Sequence, residues 1–110
     1  MTLVSLFRTQ DGRLCGYSVD GHTGYAPSGC DIVCSALSFL SITCANALES
    51  VARTKPHVQI DEENGKLRVA LDEGQMTRET DIIMQVYRQG LDDLKAAYPN
   101  YVEITDSLLE

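Results

Sequence analysis

The 110-residue chain has no tryptophan, only three prolines and two phenylalanines, and few basic residues. The sequence contains nine Lys and Arg and sixteen Asp and Glu, which gives a formal charge of −7. Such a chain lacks the clustered cations that bind a phosphate backbone, so no direct nucleic-acid binding is expected. No apolar run approaches the roughly 20 residues of a membrane span, and no membrane association is expected. Linkers and repeats are also absent, so residues 1–110 are predicted to form a single domain.

The N-terminal segment has no basic region, long apolar stretch or small-residue cleavage site of the kind found in signal peptides. The sequence therefore predicts a cytoplasmic protein. In a reducing compartment, cysteines are free thiols, metal ligands or nucleophiles more often than disulfide partners. That expectation applies to Cys15, Cys30, Cys34 and Cys44.

Two β-hairpins are indicated by turn residues between apolar segments. The first joins strands at 2–9 and 13–19 through an Asp-Gly pair, which tolerates the positive φ angles of a tight turn. The second joins strands at 57–60 and 66–71 through an Asn-Gly pair, the strongest short hairpin signal.

A first helix is predicted from Asp31 to Arg53, a stretch without glycine or proline. Its apolar stripe has helical spacing and comprises Val33, Ala36, Leu37, Leu40, Cys44, Ala47, Leu48 and Val51. A neighbouring face carries only small side chains: Cys34, Ser38, Ser41, Ala45 and Ala52. Small side chains allow close approach, so this face is expected to meet a helix, a partner subunit or an extended peptide.

A second helix is predicted to begin after Thr77 as N-cap and to stop at Pro99. Its apolar stripe comprises Thr80, Ile83, Tyr87, Leu91, Leu94 and Tyr98. Gly90 lies within the stripe, where close packing would explain a residue that costs about 1 kcal/mol relative to alanine. A last strand is possible at 101–105. The fold class is then α+β, a two-layer α/β sandwich of order ββαββα(β).

The segment that could carry chemistry lies between the first hairpin and the first helix. His22 follows the end of a strand, and Cys34 lies in the first turn of the helix, with Asp31 as the expected N-cap. A helix N-terminus stabilises a thiolate, and a nearby imidazole can exchange protons with it. Unpaired N–H groups of the helix start could form an oxyanion hole, and Ser38 lies one turn further along the same face. From spacing alone, a structural role for the His22–Cys34 pair is favoured by a modest margin.

A sequence motif around these residues favours a catalytic role instead. The run Gly-His-Thr-Gly-Tyr-Ala at 21–26, followed by Asp-Ile-Val-Cys-Ser-Ala-Leu-Ser at 31–38, closely resembles the Prp family of bacterial ribosomal-processing cysteine proteases. The resemblance implies a cysteine endopeptidase whose catalytic pair matches His22 and Cys34. Its supporting positions match Gly21, Asp31 and Ser38.

The resemblance also implies a substrate and an assembly. The substrate would be a short N-terminal extension of a large-subunit ribosomal protein, and the enzyme would be a homodimer formed through its helices. No cofactor and no metal are implied. Cys30 departs from the polar or charged residue expected at its position.

Three alternatives are weighed against the peptidase. The first is a non-catalytic ribosome-assembly adaptor that binds a basic ribosomal protein. Such a protein would have no need of a thiol at the start of a helix. A zinc or thiol-redox site would use His22, Cys30 and Cys34, although their spacing is unusual for either. In a weaker form, Cys30 and Cys34 form a disulfide that switches the enzyme off. In the absence of a peptide substrate, the loop at 23–30 is expected to shield Cys34. When a peptide binds, the loop is expected to become ordered.

Overall fold

The structure, a computed structural model, describes residues 1–22, 26–27 and 31–109. Its strands and helices follow one another as β1 (Thr2–Arg8), β2 (Leu14–Asp20), α1 (Ile32–Ser50), β3 (His57–Asp61), β4 (Lys66–Ala70), α2 (Arg78–Ala97) and β5 (Val102–Leu108). A short 3-10 turn at Glu73–Gln75 precedes α2. This order confirms the predicted ββαββα(β) pattern and the α+β class.

The five strands form one mixed sheet in the order β3-β4-β2-β1-β5. All neighbours are antiparallel except β1 and β5, which run parallel. The last strand was expected at 101–105 but continues to Leu108, because its whole length pairs with β1. Placement of β4 beside β2 has a consequence for the site: the β3–β4 turn lies at the same end of the sheet as the end of β2, where Asp20 pairs with Lys66.

Both predicted hairpin turns are confirmed by their glycines, with Gly12 at φ +88° and Gly65 at φ +64°. These left-handed values are readily available only to glycine. In the second turn the Asp61 carboxylate accepts hydrogen bonds from the Asn64 backbone N–H at 3.2 Å and from its amide at 2.8 Å. These bonds hold the pKa of Asp61 below its usual range.

The core lies between one face of the sheet and the two helices. Alternation along β1 buries Val4 and Leu6 and leaves Leu3 partly exposed. Tyr17 of β2 stacks on Tyr87 of α2, with ring centroids 3.9 Å apart. The helices and the sheet thus bury their apolar faces against one another.

α1 differs from its predicted stripe at several positions. Its buried residues are Val33, Leu37, Ser41, Cys44, Ala45 and Leu48. Ser41 and Ala45, assigned above to the small-residue face, are therefore part of the core side. Ala36 and Val51 were expected there but are exposed. The Tyr17–Tyr87 stack explains why α1 turns this face toward the core. The Tyr17 hydroxyl donates to the Ser41 backbone carbonyl, and the Ser41 hydroxyl is hydrogen-bonded to the Tyr87 hydroxyl.

α1 also ends earlier than predicted, at Ser50 instead of Arg53. Arg53 adopts a left-handed conformation with φ 59°, which breaks the helix. Thr54 then provides hydrogen bonds to a backbone carbonyl of the last helical turn. Its N–H and its hydroxyl both donate to the Leu48 carbonyl, at 3.1 and 2.6 Å. No glycine marks this helix end in the sequence.

α2 confirms the predicted N-cap, because Thr77 forms a capping box with Thr80. Met84 is buried where the predicted stripe had Ile83, which is only partly buried. Gly90 packs on Leu40 of α1: an added Cβ would lie 2.8 Å from both Leu40 methyl carbons. Close helix packing therefore explains this glycine, as predicted.

The expectation of no membrane-length helix needs correction. α1 has 19 residues and a mean hydropathy of 1.5, enough by length and composition to cross a membrane. Length and composition are weak evidence by themselves, because a core helix passes the same test. Six residues of α1 are buried within the protein, whereas Ile32, Phe39 and Ile42 are exposed.

Candidate active site

His22 is placed by the end of β2 and by the glycine before it. Gly21 has φ +98°, a left-handed conformation that turns the chain out of the strand. Its N–H donates to the Gly65 carbonyl at 3.0 Å, which ties this bend to the turn of the second hairpin. The His22 side chain is exposed but packs against Gly65, where an added Cβ would lie 3.0 Å from ring atoms Cε1 and Nε2.

Cys34 is the third residue of α1 and is half-buried, with a free thiol. Asp31 is the N-cap, as predicted, and its Oδ1 accepts the Cys34 backbone N–H at 2.8 Å. Asp31 is itself 8% exposed. This bond fixes the first turn of the helix and thereby the position of the thiol. It also engages one of the N–H groups expected to form an oxyanion hole, so the Cys34 N–H is not a free donor.

One cavity of about 250 Å³ brings the predicted residues together. His22 and Cys34 both line it, and so do Gly21 and Ser38. Asp31 does not line the cavity but acts beside it through its bond to Cys34. The structure therefore places a thiol, an imidazole and a hydroxyl around one concave surface, and these are group types that nucleophilic catalysis uses.

The second hairpin forms a wall of this cavity that sequence reasoning missed. Ile60 and Asp61 at the end of β3, and Glu62 of the turn, line the cavity together with residues of α1. Apolar side chains dominate the rest of the lining, among them Val19, Leu37, Ile42 and Leu67. The turn itself was predicted from its Asn-Gly pair, but its position beside His22 depends on the pairing of β4 with β2.

The remaining described cysteines fit a structural interpretation. Cys15 and Cys44 are buried free thiols, and burial raises the pKa of each. His57 lies on the edge strand β3, and its Nε2 is 3.0 Å from Asp72. Within residues 1–22, 26–27 and 31–109, no group of three or more His, Cys, Asp or Glu side chains could hold a metal ion. Cys30 and most of the loop at 23–30, on which the zinc, disulfide and loop-ordering hypotheses depend, lie outside the described residues.

Solved structures share this fold over almost the whole chain. A ribosomal processing protease Prp from S. aureus, with a covalently linked product peptide, superposes with a TM-score of 0.90 at 20% identity, covering 97% of this chain and 100% of that one. The same S. aureus protein with a substrate peptide gives 0.85 at 20% identity, with the same coverage. SMU.848 from Streptococcus mutans gives 0.85 at 27% identity, covering 99% of this chain and 96% of that one.

Sequence comparison gives one match and one negative result. No curated protein matches the chain. A family model described as cysteine protease Prp matches residues 1–103. The match spans β1 to the start of β5 and includes the whole cavity.

Proposed function

Because the chain belongs to the Prp family of cysteine proteases, we propose that Cys34 is its nucleophile and His22 its general acid and base. The single observation that carries this assignment is that both side chains line one cavity. Cys34 stands at the N-terminus of a 19-residue helix, whose positive dipole end favours a thiolate. The other described cysteines are buried in the core and do not line the cavity.

The chemistry follows in two steps. The Cys34 thiolate attacks the scissile carbonyl carbon, and the tetrahedral intermediate collapses with cleavage of the C–N bond. His22 donates its proton to the departing amine, which leaves a thioester on Cys34. Water then attacks the thioester while His22 accepts a proton, and the carboxyl product leaves as the thiolate is regenerated. Ser38, on the helix turn after Cys34, is positioned to contact substrate in the same cavity.

The proposed substrate is the N-terminal extension of a large-subunit ribosomal protein, cleaved in the cytoplasm during ribosome assembly. The S. aureus protein that shares this fold is a ribosomal processing protease. Charge supports the same substrate class here, since the chain carries −7 and the cavity lining includes two carboxylates, Asp61 and Glu62, and one ammonium group, Lys66. An acidic surface attracts a basic ribosomal protein and speeds its encounter with the enzyme.

The test is incubation of the purified protein with the ribosomal precursor of its own organism, with product masses read by mass spectrometry. One cut near the precursor N-terminus is expected, and Cys34→Ala should remove it. Cys44→Ala is the matched control, because Cys44 is in the same helix but buried away from the cavity. Processing at the unchanged rate by Cys34→Ala would refute the assignment. Binding without cleavage by the unmodified protein would favour the adaptor.

We also propose that the enzyme is a homodimer formed through the outer face of α1. Ile32 and Phe39 are 56% and 75% exposed, a large apolar surface for one helix. Sedimentation of the unmodified protein should give a dimer, and Phe39→Glu should give a monomer. Val86→Glu is the control, because Val86 is an exposed apolar residue of α2. A monomeric unmodified protein at micromolar concentration would contradict the proposal.

A further inference from the structure

The turn of the second hairpin reaches across the sheet end and contacts the imidazole of His22. An added Cβ on Gly65 would lie 3.0 Å from His22 Cε1, 3.0 Å from Nε2 and 3.2 Å from the Gly21 carbonyl. Distances this short are tighter than nine in ten real Cβ contacts, so a side chain here would displace the ring by a few tenths of an ångström. Because Gly65 has no side chain, the His22 ring can lie directly against its backbone.

Hydrogen bonds on both sides hold Gly65 in place. Strand pairing carries Asp20 opposite Lys66, and the Gly21 N–H extends the ladder by donating to the Gly65 carbonyl at 3.0 Å. Asp61 closes the turn from the other side through its two hydrogen bonds to Asn64. Both chain segments that meet at the ring are thus fixed by hydrogen bonds.

We propose that Gly65 is a positioning residue of the active site, and that the β3–β4 turn sets the orientation of the His22 imidazole toward Cys34. This inference rests on the proposed role of His22 as acid and base. The same hairpin carries Asp61 and Glu62, which line the cavity. One hairpin therefore provides both a surface for substrate and the support of the proton-exchanging group.

The experiment compares Gly65→Ala with Gly12→Ala. Gly12 is the matched control because it is the corresponding turn glycine of the first hairpin, has φ +88°, and would place an added Cβ with nothing within 4 Å. Both variants place alanine at a positive φ, +88° at Gly12 and +64° at Gly65, but only the Gly65→Ala side chain reaches His22. Misplacing a catalytic group by a fraction of an ångström is expected to lower kcat about tenfold. KM should change less than about twofold, since the apolar cavity lining is retained.

A spectroscopic readout separates displacement of the ring from general loss of structure. The chain has only two histidines, and His57 lies on the edge strand against Asp72. In Gly65→Ala the ring NMR signals of His22 should shift while those of His57 stay unchanged. Neither set should move in Gly12→Ala. Equal kcat values and unshifted His22 signals in the two variants would overturn the proposal.

Failure of the proposed function has a different signature. If His22→Asn retains full kcat, His22 is not the acid and base, and the catalytic assignment itself fails. If His22→Asn is inactive but Gly65→Ala matches Gly12→Ala, only the positioning role of Gly65 fails. Should Gly65→Ala not fold, the pair Gly65→Asn and Gly12→Asn repeats the comparison, because asparagine tolerates left-handed backbone and still adds a Cβ.

Discussion

Asp31 Oδ1 accepts the backbone N–H of Cys34 at 2.8 Å, so the residue that caps α1 also holds the residue that carries the thiol. The cap is three residues away from the thiol in sequence, and no other element is needed to bring them together. Stability of the first helical turn and presentation of the thiol are therefore coupled through one hydrogen bond.

Asp31→Ala should lower both stability and activity. Loss of an N-cap costs about 1 kcal/mol of unfolding free energy, and fraying of the first turn should move Cys34. Asp31→Asn keeps an acceptor oxygen and should retain most of both. Urea unfolding and peptide cleavage measure the two effects.

Thr77→Ala provides the control for the cap, because it removes the corresponding cap of α2 far along the chain from Cys34. It should lose similar stability and keep kcat/KM. If Thr77→Ala and Asp31→Ala lose activity equally when both are folded, the coupling of cap and thiol is wrong.

Local signals accounted for most of the fold. Both hairpin turns and both N-caps followed from residue types that act within a few positions of the chain. The same holds for Cys34, because the N-cap residue Asp31, three positions earlier, marks the N-terminus of its helix. These features were predictable because their causes are short-range.

Long-range pairing was not predictable in the same way. Nothing near Asn64-Gly65 indicates that β4 pairs with β2, and without that pairing the turn has no relation to His22. The rotation of α1 that buries Ser41 likewise depends on two tyrosines from other elements. The early end of α1 depends on a left-handed Arg53, a residue type that gives no signal for it.

Gly90→Ala tests helix packing through a double-mutant cycle with Leu40. Alanine gains about 1 kcal/mol of helix propensity, but overpacking against the Leu40 methyl carbons costs about 1–3 kcal/mol. A net loss of stability is expected. In a Leu40→Ala background the clash is absent, so the same substitution should become stabilising by about 1 kcal/mol. Urea unfolding of the four proteins gives the coupling, and additive changes would contradict the packing argument.

Thr2→Val should stabilise the protein. The Thr2 hydroxyl is buried and has no hydrogen-bond partner among the described residues. Removing an unsatisfied buried hydroxyl should gain about 1 kcal/mol, or about 4 °C in Tm. Thr54→Val is the opposite case, since the buried Thr54 hydroxyl donates to the Leu48 carbonyl at 2.6 Å. It should lose about 1 kcal/mol, and equal losses in the two variants would refute the interpretation of Thr2.

The stacked tyrosines predict loss of stability in alkali. Burial raises the pKa of Tyr17 and of Tyr87 well above the usual range for a phenol. In the unfolded chain these phenols ionise near pH 10, while in the folded protein they stay protonated. Above about pH 10 the unfolded state therefore binds fewer protons, and the free energy of unfolding falls by up to about 1.4 kcal/mol per pH unit for each tyrosine. The raised pKa values of Cys15 and Cys44 act in the same direction from about pH 8.5.

Tyr87→Phe and Ser41→Ala separate ionisation from hydrogen bonding in that alkaline region. Tyr87→Phe removes one ionisable phenol, so its unfolding free energy should fall less steeply than that of the unmodified protein between pH 10 and 11. Ser41→Ala removes the 2.9 Å bond to the Tyr87 hydroxyl but keeps both phenols. It should lower stability by about 1 kcal/mol at neutral pH and keep the steep alkaline slope. Identical slopes for Tyr87→Phe and the unmodified protein in urea titrations would mean that Tyr87 does not control alkaline stability.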